Sequence, residues 1–355
     1  MNNIEINGKK IGDGFPCYIT FEAGPTHSGV ESAIELVNIA ADSGADAIKF
    51  QIIDPERLVA DKKQLFSFDI LLDKKTGETK TVSEPLYDLI KRRSLSFDDW
   101  IKVKKAADKA GIAFFATVGF EDEIKLLIEL GCDSIKIASA DLNHFPLLRL
   151  AAKSGMLVQL DTGNGTLGEV EKAVDILNEA GCERILIHQC PSGYPAHLDS
   201  IHLNMITTLK NMFPYPSAFS DHTPGWHMDV AAVALGVNLI EKTITMDRCT
   251  PSVEHIFSLE PEDATEFVKI IREVETGLGR SRRSMHPDQI AARNKIRRSA
   301  FLVNDESAGK EVSGLNVEYR RPGDGISPDV FETLKDLKLS ADLRQGHKLT
   351  LSDFL

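Results

Sequence analysis

Hydrophobic and polar positions along the chain fall into two alternating rhythms. Eight short, nearly unbroken apolar runs recur: CYITFEA (17–23), DAIKFQ (46–51), IAFFATV (112–118), SIKIAS (134–139), LVQLDT (157–162), RILIHQC (184–190), SAFSDH (217–222) and LIEKTIT (239–245). Runs of this length, rich in β-branched and aromatic residues, read as strands buried on both faces. Between them lie segments such as SAIELVNIAADSG, DEIKLLIELG, GEVEKAVDILNEAG and DVAAVALG, whose apolar residues return every three or four positions. That spacing predicts amphipathic helices. Gly44, Gly111, Gly131, Gly155, Gly181 and Gly236 stand where those helices should stop. A last helix, DATEFVKIIREVETGLG, follows the eighth strand.

Eight βα units predict a closed parallel (β/α)8 TIM barrel. An open doubly wound sheet would need a glycine-rich dinucleotide turn after the first strand, and FEAGPTHSG does not match it. Two parts fall outside the repeat. Residues 52–95 form a long insertion after the second strand, rich in Lys, Asp, Thr and Ser, and read as a lid or a flexible excursion. After Gly279 the rhythm stops. The reading is a barrel domain over 1–280, a basic linker over 281–298, and a small β-rich domain over 299–355. The last is marginal if it must fold alone, and is expected to pack on a barrel.

Composition narrows the function. The chain has 355 residues and a formal net charge of −12, which disfavours a nucleic-acid partner. No apolar run approaches the ~20 residues that span a bilayer. MNNIEINGKKIGDG lacks the apolar core of a secretory signal, and the five cysteines show neither CxxC spacing nor disulfide density. A cytoplasmic protein is expected.

In a barrel the chemistry sits where the strands end. The strand-end residues here are polar throughout: Glu22, Lys49 with Gln51, Thr117, Lys136 with Ser139, Asp161 with Thr162, His188 with Gln189, Ser220 with His222, and Glu241 with Lys242. Buried lysines need anionic partners. Glu22, Asp161 or Glu241 could serve, or an anionic ligand. Two cations ringed by hydroxyls, Thr117, Ser139, Thr162, Ser192 and Ser220, suit a phosphate or carboxylate. His222 becomes a candidate metal ligand only if a second group converges on it; His27 and His255, in loops at the same face, stay in play. Tyr194 in CPSGYP is placed to line a sugar pocket.

The motifs now resemble one family from end to end. FEAGPTHSG is similar to A-E-I-G-x-N-H-x-G, GADAIKFQ to G-A-D-x-x-K-F-Q, SIKIASAD to Y-K-I-x-S-G-E, LDTGNGTLGEV to L-S-T-G-M-x-x-x-x-E, HQCPSGYPA to H-C-T-S-x-Y-P-T, and FSDHT to S-D-H-T. RRPGDGISP resembles the R-P-G-x-G-I-x-P of a small antifreeze-like (SAF) domain. These are the motifs of the sialic acid synthases and wider nonulosonate synthases. The resemblance implies that phosphoenolpyruvate condenses with an N-acetylmannosamine-like sugar aldehyde, giving a 2-keto-3-deoxy sugar acid and phosphate. It implies that Lys49, Thr117, Lys136, Ser139, Ser192 and Ser220 hold phosphoenolpyruvate and that Glu22 is the general acid/base. Gln51, Asp141, Tyr194 and Glu254 would contact the sugar. Arg321 would reach in from the partner of a homodimer whose small domains are exchanged.

The resemblance also implies a divalent metal, Mn2+ or Mg2+, polarising the aldehyde. Here the chain departs from the pattern. Thr243 stands where E-K-H-F-T has its second histidine, which leaves His222 as the centre of a weakened site and His255 as a substitute ligand. Asp161 replaces the serine of S-T-G, Asp141 a glutamate, Thr26 an asparagine and Glu254 an aspartate. Two alternatives stay open: a synthase of shorter 3-deoxy-ulosonates, and a non-catalytic paralogue that binds a sugar or an anion.

Overall fold

The computed structural model describes residues 4–355. The described residues divide into two compact units, 4–279 and 280–355. In the first, all eight expected strands are present and close on themselves. They are β1 (Tyr18–Glu22), β2 (Ala47–Ile52), β3 (Ala113–Val118), β4 (Ser134–Ile137), β5 (Leu157–Asp161), β6 (Ile185–Gln189), β7 (Ser217–Asp221) and β8 (Leu239–Thr243). Each pairs in parallel with its sequence neighbour, and β8 pairs with β1. The helices that follow them are α1 (Val30–Asp42), α2 (Phe97–Ala110), α3 (Glu121–Glu129), α4 (Phe145–Lys153), α5 (Leu167–Glu179), α6 (Met205–Met212), α7 (His227–Ala234) and α8 (Pro261–Leu278). This is the TIM-barrel architecture.

Side chains alternate across each strand, so every strand serves two environments. The outward set, including Ile19, Phe21, Ile48, Phe50, Ile135 and Ile240, is buried against the helices. The inward set changes along the barrel axis. At the N-terminal end Tyr18, Ala47, Phe115, Leu157, Leu186 and Leu239 make an apolar layer, sealed below by Ile4, Ile6 and Ile11 of an N-terminal hairpin. Higher up the same faces carry Thr20, Ser134, Gln159 and His188, and at the C-terminal rim Glu22, Lys49, Lys136, Asp161, Ser220 and Glu241. The polarity gradient aims the chemistry at one mouth.

Local signals set the helix ends. The Ser96 hydroxyl accepts the Asp99 amide at the start of α2, and Gly111 closes it at φ 76°, a left-handed position where a side chain is strained. Thr166 and Glu169 cap α5 reciprocally.

The insertion is not an irregular excursion. It contains a short helix Pro55–Leu58, an antiparallel hairpin of Leu65–Asp73 with Glu78–Pro85, and a helix Leu86–Lys91. Phe68, Ile70 and Leu89 pack with Val253, and Leu71 packs with Ile256 and Phe257, so the hairpin rests on the loop after β8. Lys74 adds ion pairs to Asp247 and Glu260 at 2.8 and 2.5 Å.

The second unit begins with a helix, Pro287–Ile296, inside the stretch expected as a linker. Strands Ser299–Leu302 and Val317–Arg320 pair antiparallel. Ala300, Leu302, Val312, Ile326, Phe331, Leu339 and Leu349 form its own small core.

Candidate active site

The strand ends enclose a cavity of about 380 Å3 at the C-terminal mouth. Of the candidate residues, Glu22, Lys49, Gln51, Thr117, Lys136, Ser139, Asp141, Asp161, Tyr194, Ser220, His222 and Glu254 all line it. A larger cavity, about 940 Å3, opens at the opposite end of the barrel. Most charged side chains there are already matched: Lys9 and Arg272 to Asp46, Arg272 to Glu275, and Asp13 to Lys210. The mouth is therefore the better seat for chemistry.

Its floor is an interleaved set of charges. Lys49 Nζ is ion-paired with Glu22 Oε2 and lies 3.5 Å from Glu241 Oε1. Lys136 Nζ reaches the same Glu241 oxygen at 2.6 Å, Asp161 Oδ2 at 3.0 Å and Ser220 Oγ at 3.3 Å. Register places these groups together: Glu22 pairs with Lys49 across β1–β2, and Ser220 with Glu241 across β7–β8. All these side chains are nearly or fully buried, so the charges interact in a poorly screened environment. Burial lowers the Lys49 ammonium below its ordinary range, partly countered by Glu241. Burial also works against charge on Lys136, but Asp161 and Glu241 outweigh it and hold that ammonium above its ordinary value. Burial would raise the Glu241 carboxyl; Lys136 and Lys49 pull it well below instead. Glu22 Oε1 also accepts the Gly24 amide, which fixes the carboxylate beside the lysine.

The roof differs in character. Leu58, Phe66, Leu86, Leu89 and Ile90 of the insertion and Val253 line the cavity's outer part. Among them sits Arg93, which the sequence reading missed. Its Nε and Nη1 donate to the carbonyls of Leu89 and Pro25, at 3.0 and 2.8 Å, and burial lowers its pKa. No periodicity or motif points to it. Glu254 also lines the cavity, at φ 71°, a left-handed position for a residue with a side chain. Burial pushes its carboxyl up to about 7, against Lys49 and Arg93.

Several candidates do not line this cavity; Thr162 gives its hydroxyl to the His188 carbonyl instead. Ser192 is exposed and gives its hydroxyl to Gly163 O and Asn164 Oδ1, beside a neighbouring cleft. Arg321 is exposed in the second unit, at the residue after the strand Val317–Arg320. His255 turns its Nδ1 to Thr245 Oγ1 at 2.7 Å, so the expected convergence with His222 is not seen. His27 is buried against Phe50 and Trp100, a core position.

The donors around His222 test the metal expectation. His222 donates to the Pro191 carbonyl through Nδ1 at 3.1 Å, lies against a tilted Tyr194 ring with centroids 4.7 Å apart, and is kept neutral by burial, with a pKa of about 4. That leaves Nε2 as one available imidazole lone pair. Asp221 pairs with Lys242 across β7–β8, so the next step sets Thr243 beside His222. Thr243 offers a hydroxyl 3.4 Å from Glu254 Oε2. Among the described residues no three His, Cys, Asp or Glu side chains converge as a metal site. One imidazole and a hydroxyl make, at most, a weak divalent site.

A closed βα barrel whose charged and polar side chains gather at the C-terminal mouth defines a class of enzyme that works at one end of its barrel. Comparison with known proteins makes the class specific. The profile of the NeuB family matches residues 36–283. The N,N'-diacetyllegionaminic acid synthase of Legionella pneumophila is 33% identical, over 98% of both chains. The human N-acetylneuraminate-9-phosphate synthase is 31% identical over 91% of this chain and 89% of its own. A solved N-acetylneuraminic acid synthetase from Leptospira borgpetersenii superposes with a TM-score of 0.71 at 29% identity, covering 83% of this chain and 97% of that one. The chain belongs to the NeuB family, and with it to the phosphoenolpyruvate-dependent synthases of nonulosonic acids.

Proposed function

We propose that the mouth of the barrel joins phosphoenolpyruvate to the aldehyde of an N-acetylmannosamine-like amino sugar. The observation that carries this reading is the floor, where Lys49 and Lys136 are both buried and bridged by Glu241. Ammonium groups fixed in a dry site stabilise an anion without reorganising. Lys49, Lys136, Thr117, Ser139 and Ser220 hold the phosphate and carboxylate. Ser192 joins them only if its loop turns inward, since its hydroxyl now faces Gly163 and Asn164.

The sugar lies above, between Gln51, Asp141, Tyr194 and Glu254, under the apolar roof. The methylene carbon of phosphoenolpyruvate forms the new C–C bond with the aldehyde carbon as its double bond to the phosphate-bearing carbon breaks, and the aldehyde oxygen takes a proton. Water adds to the phosphate-bearing carbon and gives up a proton; the bond from that carbon to the phosphate oxygen then breaks, and the added hydroxyl loses its proton to become the keto group. Glu22, held by Lys49 and the Gly24 amide, is placed to move a proton at the enol end. Synthases of this family are generally metal-dependent; here the donor set supports, at most, a weak divalent site at His222.

The second unit carries the RRPGDGISP motif, which supports an antifreeze-like domain, and Arg321 lies within it. In this reading the domain covers the mouth of a partner's barrel in a homodimer. The test is phosphate release from phosphoenolpyruvate across a panel of aldehyde sugars, with two- and four-acylated amino sugars beside plain aldoses. Release with an amino sugar and formation of a 2-keto acid support the reading. No release with any of them overturns it.

A further inference from the structure

One buried pair on the cavity floor is a proton short. Asp161 ends β5 and is 8% exposed. Its Oδ2 takes Lys136 Nζ at 3.0 Å, but its Oδ1 has no hydrogen-bond partner. Facing it at 3.7 Å is His188 Nδ1, fully buried and also without a partner.

A chain of hydrogen bonds fixes what that nitrogen can do. The Ser134 hydroxyl donates to the Leu157 carbonyl at 3.2 Å, and a carbonyl only accepts. Ser134 Oγ therefore accepts from Gln159 Nε2, at 2.8 Å. That turns Gln159 Oε1 toward His188 Nε2, 2.9 Å away. An amide oxygen also only accepts, so His188 carries its proton on Nε2. Burial and the nearby Lys136 hold the ring well below its ordinary pKa, so Nδ1 remains a lone pair. An ionised Asp161 would set a second lone pair against it. A proton on Asp161 Oδ1 turns the repulsion into an O–H···N contact.

The charges around Asp161 argue the same way. It is faced by Lys136 from β4, Lys49 from β2, Glu241 from β8, and His188 and Cys190 from β6 and its end. Burial raises its carboxyl above the ordinary range; Lys136 opposes this, Glu241 adds to it, and Lys49 opposes it. With Asp161 ionised, the two lysines face three carboxylates, Glu22, Glu241 and Asp161, and the floor repels an anion. With Asp161 protonated the remaining charges cancel. The resemblance places a serine at this position, a neutral O–H donor, and a protonated aspartic acid offers the same donor.

We propose that Asp161 and His188 form a proton-holding pair, so that capture of phosphoenolpyruvate takes a proton onto Asp161 Oδ1, with His188 as its positioning acceptor. The inference rests on the floor being the phosphoenolpyruvate site. It is tested by calorimetric titration of phosphoenolpyruvate into the full-length protein, in buffers of different ionisation enthalpy, over roughly pH 6 to 9. The parent, Asp161→Ser and His188→Gln are compared, so that proton changes on the ligand itself cancel.

The parent should take up close to one proton more than Asp161→Ser, and its affinity should fall by about tenfold per pH unit above the titration of Asp161. Asp161→Ser should flatten that slope. His188→Gln should move the uptake to lower pH, because the protonated carboxyl loses its acceptor. Equal uptake in parent and Asp161→Ser overturns the inference and leaves the phosphoenolpyruvate site standing. Absence of binding to the parent overturns both. Should Asp161→Ser not fold, the infrared difference spectrum of the parent decides: a carboxylic C=O band must grow as phosphoenolpyruvate binds near pH ~8, and its absence overturns the pair.

Discussion

Lys242 lies one residue from Glu241 yet should behave in an opposite way to Lys49 and Lys136 when removed. Alternation along β8 turns Glu241 into the mouth and Lys242 into the helix layer. Its ammonium is fully buried, bonds Asp221 Oδ2 and the Thr223 carbonyl, and lies 3.5 Å from Asp229 Oδ2 on α7. Lys242→Met keeps the length and removes the charge, leaving two carboxylates close together in a dry interior. Breaking a buried pair in this way costs about 3–5 kcal/mol. At about 2–4 °C per kcal/mol for a domain approaching this size, Tm should fall by about 6–20 °C.

The pH dependence has a definite sign. Burial and the neighbouring Asp221 raise the Asp229 carboxyl well above its ordinary value. For an acid with a raised folded pKa, stability is present below the unfolded pKa and is lost as pH rises toward the folded one. Without Lys242 the penalty for ionising Asp229 grows, so the deficit of the variant should deepen from acidic to alkaline buffer. Urea unfolding of parent and variant at several pH values measures this, with phosphoenolpyruvate binding checked on folded protein. A variant within about 1 kcal/mol of the parent that no longer binds phosphoenolpyruvate would refute the reasoning, for it would put Lys242 in the site and not beneath it.

Other outcomes follow from the same geometry. Lys136→Met removes the cation shared by Glu241, Asp161 and Ser220, and should lower kcat/KM by at least about a hundredfold, read by phosphate release. Thr243→His adds an imidazole beside His222 and should tighten Mn2+ binding by about tenfold or more in a metal titration; unchanged affinity would show that the two positions do not share a ligand. Glu123→Ala strips the acceptor from the amides of Gly119, Phe120 and Asp54 and should cost about 2–4 kcal/mol in urea unfolding. Light scattering at micromolar concentration should report a dimer, and a monomer there would remove the exchanged-domain arrangement.

The eight strands were legible because a strand buried on both faces admits few polar residues before its end, so each apolar run marks its own boundary. The floor was legible for the same reason, since Lys49, Lys136 and Asp161 are charges set within largely apolar runs. Lys242 could have been separated from them by counting in twos from Glu241. The insertion was harder. LFSFDILLD and ETKTVSEP form a hairpin whose outer strand is polar on nearly every position, and such a segment reads as a loop until its partner is known. Arg93 was invisible because its meaning depends on the Pro25 and Leu89 carbonyls, contacts no spacing encodes. His255 shows the converse: a histidine in the right loop, turned toward Thr245 by the path of the chain after Glu254.

The hairpin of the insertion and the loop after β8 are zipped together by Val253, Ile256, Phe257 and their partners, and Glu254 lies inside that zipper. A gate built this way has no independent hinge: prying the hairpin off tears up the bed on which Glu254 rests. The vestibule thus comes apart as a unit while the lysines stay on their strands. Natural variation is then free to refit the vestibule for a different guest, so long as hairpin and loop change in step.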